Sequence, residues 1–109
     1  MEYRAKRQRK NRDRLQIVVD ILKIAKDSTR KTRLMYQANL SSELLSKYLG
    51  ALTRSGLIHV REEGKRSFLT TEKGRHFLEE FEELLRHSEI AEAKRRVLEQ
   101  ELVPVGRTL

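Results

Sequence analysis

Few residues in this chain are equipped for covalent or metal chemistry. It has no cysteine, so a thiolate ligand, a cysteine nucleophile and a disulfide framework are all excluded. Two of its three histidines, His76 and His87, fall with Glu80 and Glu83 at 4-3-4 spacing, which puts all four on one side of a helix. His76 and Glu80 could hold a metal ion between them, yet a structural zinc site normally takes four protein ligands. Two separate solvated pairs, with no metal and no other cofactor, are the expectation. No nucleophile–base–acid set and no phosphate-cradling glycine loop occurs, so an enzyme is not expected.

Cations and short hydroxyls, by contrast, come in clusters. Arg30, Lys31 and Arg33 crowd together; Ser41, Ser42, Ser46, Lys47 and Arg54 follow, and then Arg61, Lys65 and Arg66. Ammonium and guanidinium groups suit phosphate oxygens, and small hydroxyls reach phosphates or the edges of bases. Ser42, Glu43, Ser46, Lys47, Gly50 and Ala51 share one side of a helical period, all small or polar with one cation. Small residues let a helix approach a groove wall closely. Ser42 and Ser46 are the candidates for base edges, Lys47 and Arg33 for phosphates. An ordinary solvated face would show a similar composition, so the surroundings must decide.

The charge is unevenly placed. Net charge is +8 over 109 residues, enough chain for one domain with a modest core. Residues 1–14 carry +5, residues 15–76 carry +6 and residues 77–109 carry −3. A polyanion is the natural partner of the first two parts and a poor one for the last. No apolar run is long enough to cross a bilayer, and no apolar stretch follows the N-terminal charges as a secretory signal would require. No membrane association and no small-molecule ligand are expected.

The elements that position these groups can be read from period and caps. Residues 31–38 predict a short helix, with Leu34, Met35 and Ala38 on one side. Asn39, Leu40 and Ser41 predict a turn, since Asn and Ser side chains bond nearby backbone and end helices. Ser41 is placed to cap a second helix over 42–54, whose Leu44, Leu45, Tyr48, Leu49 and Leu52 form an apolar stripe. Gly56 supplies a left-handed stop, and Arg54 sits in the last turn where the helix dipole favours a cation. Two helices joined this way form a helix-turn-helix, whose second helix can enter a DNA major groove.

Upstream, residues 15–26 predict a helix with two apolar stripes, one of Leu15, Val18, Val19, Leu22 and Ala25, the other of Ile17, Ile21 and Ile24. Such a helix must be covered from two directions. Residues 1–14 read as a flexible basic arm able to lie along phosphates or in a minor groove. After Gly56 the period falls to two: Ile58 and Val60 alternate with His59 and Arg61, and Phe68 and Thr70 with Ser67 and Leu69. The polar stretch Glu62-Glu63-Gly64-Lys65 between them makes a hairpin, hence a wing carrying Arg61, Lys65 and Arg66.

Thr71 and Glu72 cap a last helix expected to run to about Leu102, with Pro104 and Gly106 marking its end. Along it Phe77, Phe81, Leu84, Ser88, Ala91, Arg95, Leu98 and Leu102 repeat at 4-3 spacing. Six of these eight are apolar. That is a heptad seam, which a partner helix ordinarily covers, so a homodimer is expected through Phe81, Leu84, Ser88, Ala91, Arg95, Leu98 and Leu102.

With these pieces in place, the chain resembles the small archaeal winged-helix DNA-binding proteins that dimerise through an antiparallel coiled coil, some of them chromatin-associated. The likeness rests on Asp20-Ile21-Leu22, Lys31-Thr32-Arg33-Leu34-Met35-Tyr36, Ala38-Asn39-Leu40-Ser41, Lys47-Tyr48-Leu49, Ser55-Gly56-Leu57-Ile58 and Thr71-Glu72-Lys73-Gly74, together with the long helix. Two features depart from that pattern: Thr70 stands where an aliphatic residue is common, and the basic arm is long. The resemblance implies duplex DNA as ligand, no cofactor and a symmetric dimer.

The resulting expectation is a mainly α (α+β) winged helix-turn-helix with a long C-terminal coiled-coil helix. It divides into a basic arm at 1–14, a winged-helix domain at 15–76 and a dimerisation helix and tail at 77–109. The expected function is that of a homodimeric double-stranded DNA-binding protein, a transcriptional regulator or nucleoid organiser in the cytoplasm. The alternative is a protein-binding winged-helix module of a transcription or RNA-processing assembly.

Overall fold

In the computed structural model, which describes residues 12–102, the first helix opens on a side-chain cap. Asp13 has an extended backbone, and its Oδ1 accepts from the Gln16 N–H at 2.9 Å, filling one of the free donors that a helix start exposes. Helix α1 runs Arg14–Ile24, starting one residue earlier than expected and stopping two residues sooner. The early stop has a tertiary cause. Thr70, 48 residues away, donates its hydroxyl to the Leu22 carbonyl at 2.7 Å, and its N–H bonds the Ala25 carbonyl at 2.9 Å. Carbonyls at a helix end have no intrahelical partner, so Thr70 satisfies two of them from across the fold. That accounts for a buried hydroxyl where an aliphatic side chain is common.

Both stripes of α1 find cover within the chain. Val19, Ile21, Leu22 and Ala25 are fully buried, Ile17, Val18 and Ile24 are half-buried, and Leu15 alone of the two stripes is exposed. Helix α2, Lys31–Ala38, packs against α1. It ends at Asn39, whose φ of +56° is left-handed. The Leu40 N–H then bonds the Met35 carbonyl at 3.0 Å, and the Asn39 N–H the Tyr36 carbonyl at 3.3 Å. This is the Schellman arrangement, so Asn39 stops the helix through its backbone conformation.

Helix α3, Ser42–Arg54, begins where Ser41 Oγ accepts from the Leu44 N–H at 3.1 Å. It closes on Gly56 (φ +78°) with the same two-bond pattern, Leu57 to Leu52 at 2.9 Å and Gly56 to Thr53 at 3.1 Å. The turns thus leave Leu40 and Leu57 buried just beyond each stop. Of the expected stripe, Leu45, Leu49 and Leu52 are buried, Tyr48 is half-buried and Leu44 is exposed.

Strands β1, Ile58–Arg61, and β2, Ser67–Thr70, pair antiparallel with Ile58 opposite Thr70 and Arg61 opposite Ser67. Burial of Ile58, Phe68 and Thr70 follows the period of two. Residues 27–30, which join α1 to α2, supply one more rung: Thr29 exchanges both backbone bonds with Phe68, at 3.0 and 2.7 Å.

Helix α4, Glu72–Gln100, starts at a clamp on the end of α3. Thr71 Oγ1 accepts from the Gly74 N–H at 3.0 Å and donates to the Gly56 carbonyl at 2.7 Å, while the Thr71 N–H bonds the Leu57 carbonyl at 3.0 Å. A Cβ at Gly74 would come within 2.5 Å of the Leu57 carbonyl oxygen and 2.6 Å of Thr70 Cγ2, so the close approach requires glycine there. The chain divides into two compact units, Met1–Glu79 and Glu80–Leu109. Pro104 and Gly106, expected beyond the last helix, lie outside the described residues.

Candidate nucleic-acid interface

The buried leucines of α3 turn its opposite side outward. Ser42, Glu43, Ser46, Lys47, Ala51 and Arg54 are all exposed along that side, with Gly50 half-buried among them. Segments on either side of α3 in the chain carry further exposed cations. Arg30, whose extended backbone precedes α2, and Arg33 within α2 are exposed, as are Arg61 at the end of β1 and Lys65 and Arg66 in the hairpin loop.

Lys31 is half-buried and donates its Nζ to Ser46 Oγ, joining the first turn of α2 to the middle of α3. Ser46 is therefore engaged sideways, whereas Ser42 and Lys47 stand free of such a bond on the outer face. Ser41, in turn, spends its oxygen on the cap.

Between α3 and the hairpin runs a groove lined by Lys31, Ser46, Gly50, Arg54, Glu62 and Arg66. Arg54 lies back along its own helix: a Cβ at Gly50 would sit 3.3 Å from Arg54 Nη1. Arg66 Nη2 meets Glu62 Oε1 at 3.5 Å across the exposed loop. The groove thus gathers four of the residues singled out from the sequence. Arg30, Arg33, Ser41, Ser42, Lys47, Arg61 and Lys65 lie outside it. Gly50 already falls on the polar side of α3 by its helical period, whereas Glu62, Thr53 and the apolar Leu49, Val60 and Phe68 line the groove without belonging to the expected interface, and no period or motif in the sequence marks them for it.

The end of the expected arm is built into the fold. Arg12 Nη1 donates to Asp20 Oδ2 at 2.7 Å, and its side chain is only 5% exposed. Its Nη2 also reaches the Asn39 carbonyl at 3.4 Å, so Arg12 ties α1 to the turn of the helix-turn-helix. The rest of the arm, residues 1–11, lies outside the described residues.

On α4, Phe81 is buried, while Leu84, Leu98 and Leu102 are exposed by 54, 66 and 66% and Ser88, Ala91 and Arg95 are exposed between them. Ile90 and Val97, seven residues apart, add a second exposed apolar line that the sequence reading omitted. His76 Nδ1 lies 3.9 Å from Glu79 Oε1, and among the described residues no group of three or more His, Cys, Asp or Glu is placed to hold a metal. No helix among them is long and apolar enough to cross a membrane.

Three helices, a hairpin wing packed after the second helix of a helix-turn-helix, and a long final helix define a winged helix-turn-helix protein. A family model described as winged helix-turn-helix matches residues 11–89, and the chain belongs to that family. Among solved structures it is similar to Sso10a-2, a DNA-binding protein from Sulfolobus solfataricus, with a TM-score of 0.70 and 26% identity over 84% of this chain and 99% of that one. It shares its fold with the transcriptional regulator BldR from Sulfolobus solfataricus (TM-score 0.61, 20% identity, 87% of this chain and 81% of that one). The same holds for a possible HxlR family transcriptional factor from Thermoplasma volcanium (0.58, 18%, 79% and 80%). No curated sequence matches the chain.

Proposed function

We propose that this protein is a homodimeric double-stranded DNA-binding protein, a transcriptional regulator or nucleoid organiser. In this reading α3 enters the major groove and the wing, residues 61–66, lies on the flanking backbone. The observation that carries it is the exposed polar side of α3, backed by buried Leu45, Leu49 and Leu52 and flanked by Lys31, Arg54 and Arg66, with Arg30, Arg33, Arg61 and Lys65 exposed on the adjoining segments. Similarity to a DNA-binding protein over nearly its whole length supports the reading. The dimer draws on exposed Leu84, Leu98 and Leu102, which a second copy of the helix would cover.

Anisotropy titrations of random and selected duplexes at two salt concentrations test it. Affinity falls with salt at a log–log slope of about −0.9 for each phosphate neutralised. Lys47→Ala and Arg33→Ala weaken all duplexes alike, and Ser42→Ala alters the preference among them. Unchanged affinity in both cation variants removes those assignments, and absence of duplex binding at low salt removes the function. The protein-docking alternative predicts a monomer that binds no duplex, which light scattering beside the titration identifies.

A further inference from the structure

The groove between α3 and the hairpin contains a charge that a DNA-binding surface does not need. Glu62 lines it together with Lys31, Arg54 and Arg66, and pairs with Arg66 at 3.5 Å. Both side chains are more than 60% exposed, and a pair so open to solvent contributes little to stability. Its consequence is electrostatic. One of the three cations facing the groove already has an anion of its own, and any phosphate entering must either displace that anion or tolerate it.

We infer that this groove is the seat of a single sugar-phosphate strand, and that Glu62 acts there as a built-in competitor of the phosphate for Arg66. The inference rests on the proposed DNA binding and deepens it. Lys31, Ser46, Arg54 and Arg66 offer donors from three different elements, the chain around α2, α3 and the wing, so they flank an extended anion rather than a point ligand. Gly50, without a side chain, leaves room between them, and Arg54 lies across that gap. Ser46 faces this slot and is bonded by Lys31, so it belongs to the backbone-contacting set, leaving Ser42 as the serine directed at bases. A carboxylate beside the strand penalises close phosphate contact wherever the rest of the interface does not compensate, so Glu62 weakens indiscriminate binding more than binding at a well-fitting site.

Glu62→Gln keeps the shape of the side chain and removes its charge. Glu63→Gln removes the same charge from the neighbouring position, which does not line the groove. The full-length protein and both variants are titrated with a random duplex at several salt concentrations. Glu62→Gln binds about three- to fivefold more tightly. Its salt slope also steepens by about 0.9, because Arg66 becomes free to neutralise one more phosphate. Glu63→Gln changes affinity by less than half as much and leaves the slope alone. Equal effects of the two variants overturn the inference, since general charge reduction then suffices; so does a tighter Glu62→Gln complex with an unchanged slope. If neither variant nor the parent binds duplex at low salt, the proposed function falls and this inference with it.

Discussion

Thr70 shows how one hydroxyl can settle the end of a helix that lies 48 residues earlier. Its side chain is 3% exposed, and its Oγ1 bonds a carbonyl that the helix itself leaves open. Thr70→Val preserves shape and removes the donor, stranding a buried carbonyl. It is expected to destabilise the fold by about 1–3 kcal/mol. Denaturant unfolding checks this as a lower midpoint with an unchanged slope. A midpoint equal to the parent's would mean that water or relaxation satisfies Leu22. At the same scale, Arg12 is a cation that charge counting assigns to the arm, yet its guanidinium is tied to Asp20 and to the Asn39 carbonyl. Charge alone could not separate it from its neighbours.

At the scale of elements, the helix-turn-helix was legible because its punctuation is local. A cap acts over three residues and a left-handed stop over five, so Ser41, Asn39 and Gly56 mark α2 and α3 within the sequence itself. The mechanism at Asn39 was not legible: its side chain is the obvious helix-ender, but the backbone conformation does the work. Stability and binding can be separated at Ser41. Ser41→Ala is expected to cost about 1 kcal/mol through the lost cap. Ser41→Asp keeps the cap and restores that stability, yet under the proposed function it sets a negative charge at the N-terminal end of α3 and weakens duplex binding. Thermal melts and titrations on the same samples check both, and an Asp variant that binds as well as the parent removes Ser41 from the interface.

At the scale of the whole molecule, the final helix extends for 29 residues, about 43 Å of axial length. Past Phe81 its apolar residues lie open to solvent, Leu84 and Leu98 on the heptad line and Ile90 and Val97 on a second. Under the proposed dimer, Leu84→Glu with Leu98→Glu halves the mass seen by light scattering while the winged unit keeps its far-ultraviolet signal. A mass unchanged by the double substitution places the contact elsewhere. Loss of the dimer is also expected to lower apparent affinity for long duplexes more than for short ones, since two linked sites then act separately.

By itself the amino-acid sequence determined the order and nature of the elements, the side of the first three helices that faces inward, and where the cations cluster along the chain. Those properties repeat every two or 3.6 residues, or act within a single turn, so a linear reading captures them. The tertiary structure alone decided the contacts that cross the chain: Thr29 as a rung beside Phe68, Thr70 under the end of α1, Arg12 beside Asp20 and the turn, Ser46 drawn to Lys31, and Glu62 set among the cations of the groove. Each depends on where two segments meet once the core is packed, and the spacing of residues along a chain carries no measure of that distance.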